Sequence, residues 1–385
     1  MGYTENCLPR ALANMGHTVN VITSDFNIYG NSIDYKENYQ SFLGDAIQPC
    51  GVFTCDGYTV HRLPSRNLAG YIQIIGLAKK VLELNPDVVH SVAMASLQTY
   101  SLAMVKPFSN FKLFTENHQH LSVVKPFLLE NEFKPVKRLI YWLTRTLPTR
   151  LASLAVERCY AVAPDCLEVA NRFYGVPSHK LALQSLGTDT ELFRPAKTPE
   201  EMDNCRKLRE SLNLGGHDIV CVYTGRFTKD KNPLLLAKAI EILSSKDSRW
   251  KAIFVGEGEQ REEIEKTVNC YVLPFMRHSE LAELYRAVDV AVWPRQESMS
   301  MLDAVSCGLP LVVSDSIGES KRVNGNGVTY PENNLSGLVT AIESLQSEQL
   351  RHEMGLAGRQ KMEAEFSWDA VAKRYVNDYL GVLNS

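Results

Sequence analysis

Residues 217–246 read HDIVCVYTGRFTKDKNPLLLAKAIEILSSK, and their pattern of apolar and polar positions decides the fold. A short β-rich apolar run is followed by a polar turn and then by a longer pattern whose apolar residues recur at three- and four-residue steps. The same alternation continues along the chain. The other apolar runs are HTVNVITSD from His17, DVVHSVA from Asp87, KLFTEN from Lys112, LAVERCYAVAP from Leu154, KAIFVGEG from Lys251, CYVLPF from Cys270, DVAVWP from Asp289 and LPLVVSD from Leu309. This alternation predicts an α/β protein with doubly wound parallel sheets, which bind ligands at the carboxyl ends of their strands.

The length of the chain indicates two domains. Its 385 residues exceed the size at which one hydrophobic core usually keeps growing. The polar, proline-containing segment FRPAKTPEEMDNCRK, which starts at Phe193, is the best boundary. We therefore predict two α/β domains of similar size, divided near residue 195.

The composition is that of an ordinary globular protein, with 45% hydrophobic and 22% charged residues. The net charge of -3 gives no sign of the positively charged surface that nucleic-acid binding requires. Nine cysteines without metal-type spacing indicate reduced thiols. We expect no secretory signal, and the longest apolar runs of this sequence are too short for a membrane span. We expect a cytoplasmic protein.

The first domain lacks one expected strand. The chain opens MGYTENCLPRALANMGHTVNVITSD, a glycine-containing turn, a helix and a strand. A doubly wound domain normally begins with a strand that leads into that turn, and loss of this central strand would leave both neighbours without backbone partners. We expect that the natural start lies upstream of Met1 or that the chain has been trimmed; the alternative is a reorganised sheet.

Asp303 has two compatible interpretations. Ser300-Met-Leu-Asp303 fits a capping box, which stabilises a helix start by roughly 1 kcal/mol. Alternatively, the carboxylate accepts hydrogen bonds from the vicinal hydroxyls of a ligand, as acids do for ribose in other α/β folds. A capped helix start also offers free amides to a phosphate.

Two cations point to a diphosphate. Arg226 and Lys231 follow an apolar strand and precede a helix, where they would neutralise the charge that grows on a leaving group. Lys229 fits an ordinary solvated loop instead. After the next strand, Gly256 and Gly258 would permit close backbone approach, although GEG alone is a weak signal.

Taken in order, these segments resemble a known family. TGRFTKDKNP, FVGEGEQREEIEK, HSELAELYRAVDVAVWP and ESMSMLDAVSCGLP are similar to the retaining glycosyltransferases of the GT-B fold, in the large family that includes sucrose-phosphate synthases and bacterial mannosyltransferases. GHTVNVITSD, PDVVHS, TENHQH and FYGVPSHKLALQSLGTDTELFRP resemble its first half. FSWDAVAKRYVNDYL resembles the C-terminal helix that crosses back to the first domain. The resemblance implies two Rossmann-like domains facing a cleft: residues 1–195 with 368–385 on the acceptor side, and residues 196–367 for the nucleotide sugar.

The resemblance also implies roles for residues in the second domain. Arg226 and Lys231 would hold the nucleotide diphosphate, and Asp303 would stand where a Glu binds ribose. The family usually places seven residues between two Glu residues, whereas Glu297 and Asp303 are separated by five. Either a shorter turn still lets Glu297 reach the donor sugar, or that role passes to Ser298, Ser300 and backbone amides. Gly256 and Met301 complete the implied donor-binding residues of this domain.

In the first domain, Asn117-His118-Gln119-His120 follows a predicted strand. One histidine there resembles the active-site histidine of the family, and we favour His118 over His120. Gly2 resembles part of the glycine-rich turn that approaches the reacting sugar. Gly187 and Asp189 match a hinge segment and are expected to shape the cleft without catalytic roles.

The implied reaction transfers a sugar from a nucleotide diphosphate to an acceptor hydroxyl with retention of anomeric configuration. Positioning and electrostatic stabilisation would be the main contributions. No glycosidase-like carboxylate pair is indicated. The resemblance implies neither cofactor nor metal, because the two cations and helix amides would do the work of a divalent ion. Cell-surface polysaccharide, lipopolysaccharide and glycolipid synthesis are the expected contexts.

The acceptor side contains a basic apolar segment. KPVKRLIYWLTRTLPTR, residues 134–150, interleaves five cations with Leu, Ile, Tyr and Trp. It is either a helix that packs its apolar face inward, which we favour, or a peripheral contact with the inner face of the plasma membrane and a lipid-linked sugar acceptor. Two rival functions remain: a nucleotide-sugar epimerase of the same fold, and a catalytically silent nucleotide-sugar-binding homologue.

Overall fold

The computed structural model describes residues 4–27, 30, 35–38, 40–68, 71–121, 124, 135–295, 298–317 and 320–384. They form two compact units, an N-terminal unit of residues 4–185 with 371–384 and a C-terminal unit of residues 186–370. The division lies before the predicted boundary at residue 195 because the intervening segment packs on the C-terminal unit. The Thr188 amide donates to the Phe366 carbonyl at 2.8 Å, and Phe193 is buried in that unit's core.

The described residues of the N-terminal unit form nine strands in three sheets. The strands are β1 (Asn20–Ser24), β2 (Gly51–Cys55), β3 (Tyr58–Leu63), β4 (Ser65–Leu68), β5 (Tyr71–Ile74), β6 (Val88–Ser91), β7 (Lys112–Asn117), β8 (Arg158–Ala161) and β9 (Leu181–Leu183). The order β6-β7-β8-β9 forms a parallel sheet, β1-β3-β2 a mixed sheet, and β4-β5 an antiparallel pair. Among the described residues, β1 and β6 are therefore sheet edges, and the unit has no single continuous sheet.

The helices of this unit flank those sheets. They are α1 (Thr4–Asn14), α2 (Tyr35–Asn38), α3 (Gln40–Leu43), α4 (Leu77–Leu84), α5 (Leu97–Val105), α6 (Pro135–Tyr141), α7 (Leu147–Ala155) and α8 (Pro164–Glu168). Lys106–Phe108 and Ser178–Lys180 are 3-10 turns, and Trp142–Thr146 and Val169–Phe173 are π-helical. Five of the six residues of β7 are buried, as expected for a parallel strand covered on both faces.

The C-terminal unit is built on one six-stranded parallel sheet. Its strands are β10 (Ile219–Thr224), β11 (Trp250–Val255), β12 (Cys270–Leu273), β13 (Val290–Trp293), β14 (Leu311–Ser314) and β15 (Gly327–Tyr330), in the order β12-β11-β10-β13-β14-β15. Its helices are α9 (Pro199–Ser211), α10 (Pro233–Lys246), α11 (Arg261–Glu265), α12 (His278–Arg286), α13 (Met299–Ser306), α14 (Leu335–Glu343) and α15 (Glu348–Lys361). Every residue of β10 and β13 is buried, so these apolar runs form the centre of the core. The predicted α/β fold with parallel sheets is confirmed.

The chain ends in α16 (Trp368–Leu383), a long helix that carries aromatic residues into the N-terminal unit. Tyr375 and Tyr379 are buried there. The ring centroid of Tyr375 lies 4.6 Å from that of Tyr160, and the ring centroid of Tyr379 lies 4.6 Å from that of Phe114. No helix within the described ranges combines the length and the apolar content that crossing a bilayer requires.

Candidate functional site

The strand order of the C-terminal unit defines where a ligand can bind. From β10 the chain proceeds to β11 and β12 on one side, and then returns to place β13 on the other side of β10. In open parallel sheets, such a reversal opens a crevice at the carboxyl ends of the two central strands. The segments that follow β10 and β13 are therefore the candidate site.

Arg226 lies at this switch point and is accessible. Its backbone carbonyl accepts a hydrogen bond from the Tyr223 hydroxyl at 2.9 Å, which fixes the backbone just beyond β10. Its side chain is 72% exposed, and its guanidinium lies 3.7 Å from Asp230. An exposed ion pair of this kind is weak, so the guanidinium can exchange it for an anionic ligand. Lys231 lies in the same loop, with its amide bonded to the Thr228 carbonyl at 3.0 Å.

Gly256 has a structural reason to be glycine. Its φ is +146°, and a Cβ at this position would lie 2.0 Å from the Gly225 carbonyl oxygen. The two strand ends therefore approach each other through glycine, and the residue type does not require a ligand. Its donor-binding role stays a prediction.

Helix α13 begins earlier than the sequence predicted. Its N-cap is Ser298, and its first helical residue is Met299. The predicted capping box of Ser300 and Asp303 is wrong, because Asp303 lies one turn inside the helix. Ser298 and Ser300 share a hydrogen bond of 2.8 Å, and the Ser300 hydroxyl donates to the Thr224 carbonyl at 3.4 Å. The helix start is thus attached to the end of β10.

Met301 is a core residue. Its side chain is fully buried, and its sulfur accepts a hydrogen bond from the Ser298 amide at 3.3 Å. The side chain therefore lies beneath the helix start and does not face solvent. Only its backbone lies in the first turn, so the predicted donor contact could involve the main chain alone.

Asp303 accepts a hydrogen bond from the Thr188 hydroxyl at 2.7 Å. The residue is half-buried. Burial raises the pKa of the Asp303 carboxyl to about 7, and the nearby Asp189 adds to the rise, while the bond from Thr188 opposes it. Since a carboxylate has lone pairs beyond the one that Thr188 occupies, Asp303 can still accept from ligand hydroxyls.

Arg295 is a residue that the sequence interpretation missed. It follows β13, donates to Glu332 at 2.5 Å and donates to the Lys229 carbonyl at 3.3 Å. It therefore ties the loop after β10 to the loop after β13. Only its position directly after the predicted strand DVAVWP could have indicated this.

In the N-terminal unit, His118 follows β7 and is 35% exposed. Its Nε2 lies 2.6 Å from Oε2 of Glu116, a fully buried carboxylate two residues earlier. Burial lowers the pKa of His118, but the hydrogen bond and charge of Glu116 outweigh it, so the net pKa is raised. Glu116 was also missed, although it lies in the quoted TENHQH.

His120 has a different partner. Its Nδ1 lies 3.0 Å from Asp165, whose carboxylate also accepts from the Leu121 amide at 3.1 Å. Potential metal-ligand atoms of His120, Asp165 and Cys166 lie within 4.8 Å of one another, a grouping that the sequence did not indicate. The hydrogen bond between His120 and Asp165 accounts for the first two of these residues.

Two of the predicted site residues, Gly2 and Glu297, lie outside the described residues, and their roles stay predictions. Gly187 and Asp189 have local roles in the C-terminal unit. A Cβ on Gly187 would lie 2.9 Å from the Trp368 ring, and Asp189 accepts from the amides of Glu191 and Leu192.

Two family models match the chain. Residues 8–192 match Glycosyltransferase Family 4, and residues 205–361 match Glycosyl transferases group 1. The second match contains the whole candidate site around β10, β13 and α13.

Curated relatives are about a quarter identical to the chain over the aligned stretches. Spore coat protein SA of Bacillus subtilis is 24% identical over 238 residues, which is 55% of this chain and 61% of that protein. Lipopolysaccharide 1,2-N-acetylglucosaminetransferase of Salmonella typhimurium is 24% identical over 190 residues, 44% of this chain and 50% of that protein. D-inositol 3-phosphate glycosyltransferase of Rhodococcus opacus is 26% identical over 227 residues, which is 54% of this chain and 49% of that protein. The chain thus spans about half to three fifths of the length of these relatives.

Solved structures share the fold over nearly the whole chain. A glycosyltransferase from Rickettsia africae has a TM-score of 0.68 at 15% identity, covering 98% of this chain and 93% of that one. Sucrose-phosphate synthase from Thermosynechococcus elongatus has a TM-score of 0.67 at 19% identity, covering 98% and 92%. Anabaena HepE in complex with UDP has a TM-score of 0.65 at 15% identity, covering 94% and 100%. With one family domain in each half and this shared fold, the chain belongs to the group 1 glycosyltransferases of the GT-B fold.

Proposed function

We propose that this protein transfers a sugar from a nucleotide-diphosphate sugar to an acceptor hydroxyl, with retention of the anomeric configuration. The observation that carries the proposal is the arrangement at the switch point of the six-stranded sheet: an exposed arginine after β10, the start of α13 after β13, and the half-buried carboxylate of Asp303. This arrangement lies within the residues that match the group 1 glycosyltransferase model.

The donor would bind with its diphosphate between Arg226 and the first turn of α13. Backbone amides at a helix start and a guanidinium both favour a diphosphate, the first through unpaired donors and the second through charge-assisted hydrogen bonds. Lys231 would add a second positive charge from the same loop as Arg226. The structural likeness to HepE, which was solved with UDP, supports a nucleotide ligand for this fold.

Asp303 would bind the ribose. Its carboxylate already accepts from Thr188 and retains lone pairs for vicinal hydroxyls. Glu297 is proposed to bind the donor sugar by family resemblance, with Ser298 and Ser300 as the alternative. These assignments place the nucleotide at the carboxyl edge of the sheet, where the general rule for such folds expects it.

Catalysis would rest on charge. Departure of the diphosphate leaves positive charge on the sugar ring and adds negative charge to the leaving group, and pre-arranged donors stabilise that separation. Arg226, Lys231 and the amides of α13 would stabilise the leaving group, so we propose that no divalent ion is required. His118 is proposed to contact the donor sugar.

The acceptor side of the proposal involves the basic segment, whose described part begins at Pro135. Val136, Leu139, Ile140 and Leu143 are 66%, 56%, 53% and 49% exposed, so the favoured interpretation of an inward-packed apolar face is wrong for these four side chains. Residues 135–150 also contain four cations and no acid. Exposed apolar side chains beside positive charge suit an anionic lipid surface. We therefore propose peripheral membrane contact and a lipid-linked sugar acceptor, which fits the lipopolysaccharide role in the name of the Salmonella typhimurium relative.

Donor screening tests the function. Thermal-shift measurements with a panel of nucleotide-diphosphate sugars should identify one stabilising donor, which is then incubated with and without lipid-linked sugar acceptors. The proposal expects product only with an acceptor, and the same anomeric configuration in donor and product. Product without acceptor would indicate an epimerase, and binding without turnover a silent homologue; either result would overturn the transferase proposal.

A further inference from the structure

Glu116 is a fully buried carboxylate with two hydrogen-bond donors and a second histidine close by. The Tyr375 hydroxyl donates to its Oε1 at 2.6 Å, and Nε2 of His118 lies 2.6 Å from its Oε2. Nε2 of His90 lies 3.3 Å from Oε1. A buried carboxylate is costly unless it is paired and hydrogen-bonded, so this set of donors explains how the group is accommodated.

The strand geometry explains why His118 is the exposed member of this group. Successive residues of a strand point to opposite faces, so residues two apart share a face. Phe114 and Glu116 therefore lie on the same face of β7, and His118 continues this series just past the end of the strand. The aromatic rings around Glu116 therefore bury its carboxylate, while His118 stays 35% exposed at the strand's carboxyl end.

The two ring nitrogens of His118 are in different settings. Nε2 is held by Glu116, whereas Nδ1 has no hydrogen-bond partner within the part of the chain that the structure describes. If the ring is protonated, both nitrogens are donors, so one points inward to the carboxylate and the other is available to a ligand.

The charges around the pair favour that protonated state. Burial opposes ionisation of Glu116, but the hydrogen bond with His118 and the nearby His90 outweigh it and lower the pKa of Glu116 to about 2. The pKa of His118 is raised by Glu116 and, more weakly, by Glu5 on α1. The other titratable groups that face the pair are His90 on β6, Cys159 and Tyr160 on β8, and Tyr375 and Tyr379 on α16.

We propose that Glu116 is a positioning residue: it holds Nε2 of His118, keeps the ring charged, and directs its Nδ1–H to the donor sugar, while Tyr375 fixes the carboxylate. The inference rests on the proposed function for the role of His118. The charged pair itself is a property of the N-terminal unit, so it can be measured without substrate.

Histidine NMR on the full-length protein tests the pair directly. With ¹³C-labelled histidine and His118→Asn to assign the signal, His118 should titrate above the ordinary histidine value in the wild type. In Glu116→Gln its midpoint should fall by about one pH unit or more, because the carboxylate that stabilises the imidazolium is gone. His217 and His352, in the other unit, serve as internal controls and should titrate alike in both proteins.

Two further variants keep the test decisive if Glu116→Gln does not fold. Glu116→Asp retains the charge and should keep most of the shift, and Tyr375→Phe should leave the His118 midpoint closer to that of the wild type than Glu116→Gln does. A wild-type His118 that titrates at or below the ordinary histidine value would overturn the inference, as would a midpoint that the Glu116→Gln substitution leaves unchanged.

Kinetics separate this inference from the proposed function. With an active donor and acceptor, Glu116→Gln should lower kcat at least about tenfold, move the alkaline limb of the pH profile to lower pH and leave the donor KM within about twofold. Glu116→Asp should restore part of kcat. A protein that shows the NMR shift but no transfer would contradict the function only, whereas normal transfer by Glu116→Gln would contradict the positioning role only.

Discussion

At the scale of the residue, Asp303 shows how burial can change a group's chemistry. The sequence pattern offered a capping role, but the carboxylate lies one turn inside α13 and accepts from Thr188. Burial raises its pKa to about 7, so its protonation changes near neutral pH. Neither Thr188 nor the burial could be predicted, because Thr188 is 115 positions away in sequence.

This pKa leads to a prediction for ligand affinity. If Asp303 accepts from ribose hydroxyls, its ionised form binds best, so affinity for the nucleotide should rise as pH rises through about 7. From pH 6 to pH 8 the ionised fraction increases about tenfold, and Kd should fall by about the same factor. Calorimetric titrations at the two pH values check this. Asp303→Asn should bind more weakly and lose that dependence; an equal pH dependence in both proteins would contradict the role.

The raised pKa of Asp303 also affects the stability of the fold, which should fall as the pH rises, whereas ligand affinity should increase. A carboxyl whose pKa is raised on folding stabilises the fold fully below its unfolded value near 3.8, and that contribution is lost as pH rises through about 7. The difference in unfolding temperature between Asp303→Asn and the wild type should therefore shift in favour of the variant when the pH is raised from 5 to 8. Thermal unfolding without ligand measures it, and a gain that is larger at pH 5 would contradict the assignment.

At the scale of the element, the sequence predicted only some of the strands, turns and helix starts correctly. The β10–α10 unit follows directly from its apolar run and helical period, and the structure confirms it. The hairpin of β2 and β3 was missed, although Asp56-Gly57, with φ of 44° and 83°, is a recognised two-residue hairpin turn. The start of α13 was misplaced because Ser298 and Ser300 are both acceptable N-caps, and the contact of Ser300 with Thr224 decides between them.

Gly256 provides the prediction at this scale. A methyl group on Gly256 would collide with the Gly225 carbonyl at the ends of β10 and β11, so Gly256→Ala should lower the free energy of unfolding by about 2–4 kcal/mol. Gly216→Ala is the matched control in the same unit, because no atom lies within 4 Å of its added carbon, and it should stay within about 1 kcal/mol. Denaturant titrations compare them. Equal stability of the two variants would mean that Gly256 is not required for this close approach.

At the scale of the whole molecule, the α/β class and the family could be predicted because many short motifs occur in a fixed order along the chain. Strand order and sheet continuity could not. The sequence does not reveal that β10 and β13 are central in the C-terminal sheet, or that the strands described in the N-terminal unit fall into three sheets. The bond between Glu116 and Tyr375, 259 positions apart, likewise exists only in the folded chain.

The exposed basic segment gives a prediction for the intact protein. Its affinity for anionic vesicles at low salt should exceed that for zwitterionic vesicles. Leu139→Ser with Ile140→Ser should weaken anionic binding at least about tenfold, because two apolar side chains no longer enter the lipid. Met202→Ser with Val268→Ser, also exposed apolar positions at 57% and 65%, should leave binding unchanged. Co-sedimentation measures both, and equal losses in the two double variants would contradict a specific membrane surface.

The central claim is that the diphosphate of the donor binds beside Arg226, and one calorimetric comparison tests it most directly. UDP, GDP and ADP are titrated into the wild type, Arg226→Ala and Lys229→Ala, two variants that remove the same charge from the same exposed loop. For the nucleotide that binds, we expect Arg226→Ala to raise Kd about tenfold to a hundredfold, as loss of charge-assisted hydrogen bonds implies, and Lys229→Ala to change it less than about twofold. Equal effects of the two substitutions, or tight binding that survives both, would contradict the site.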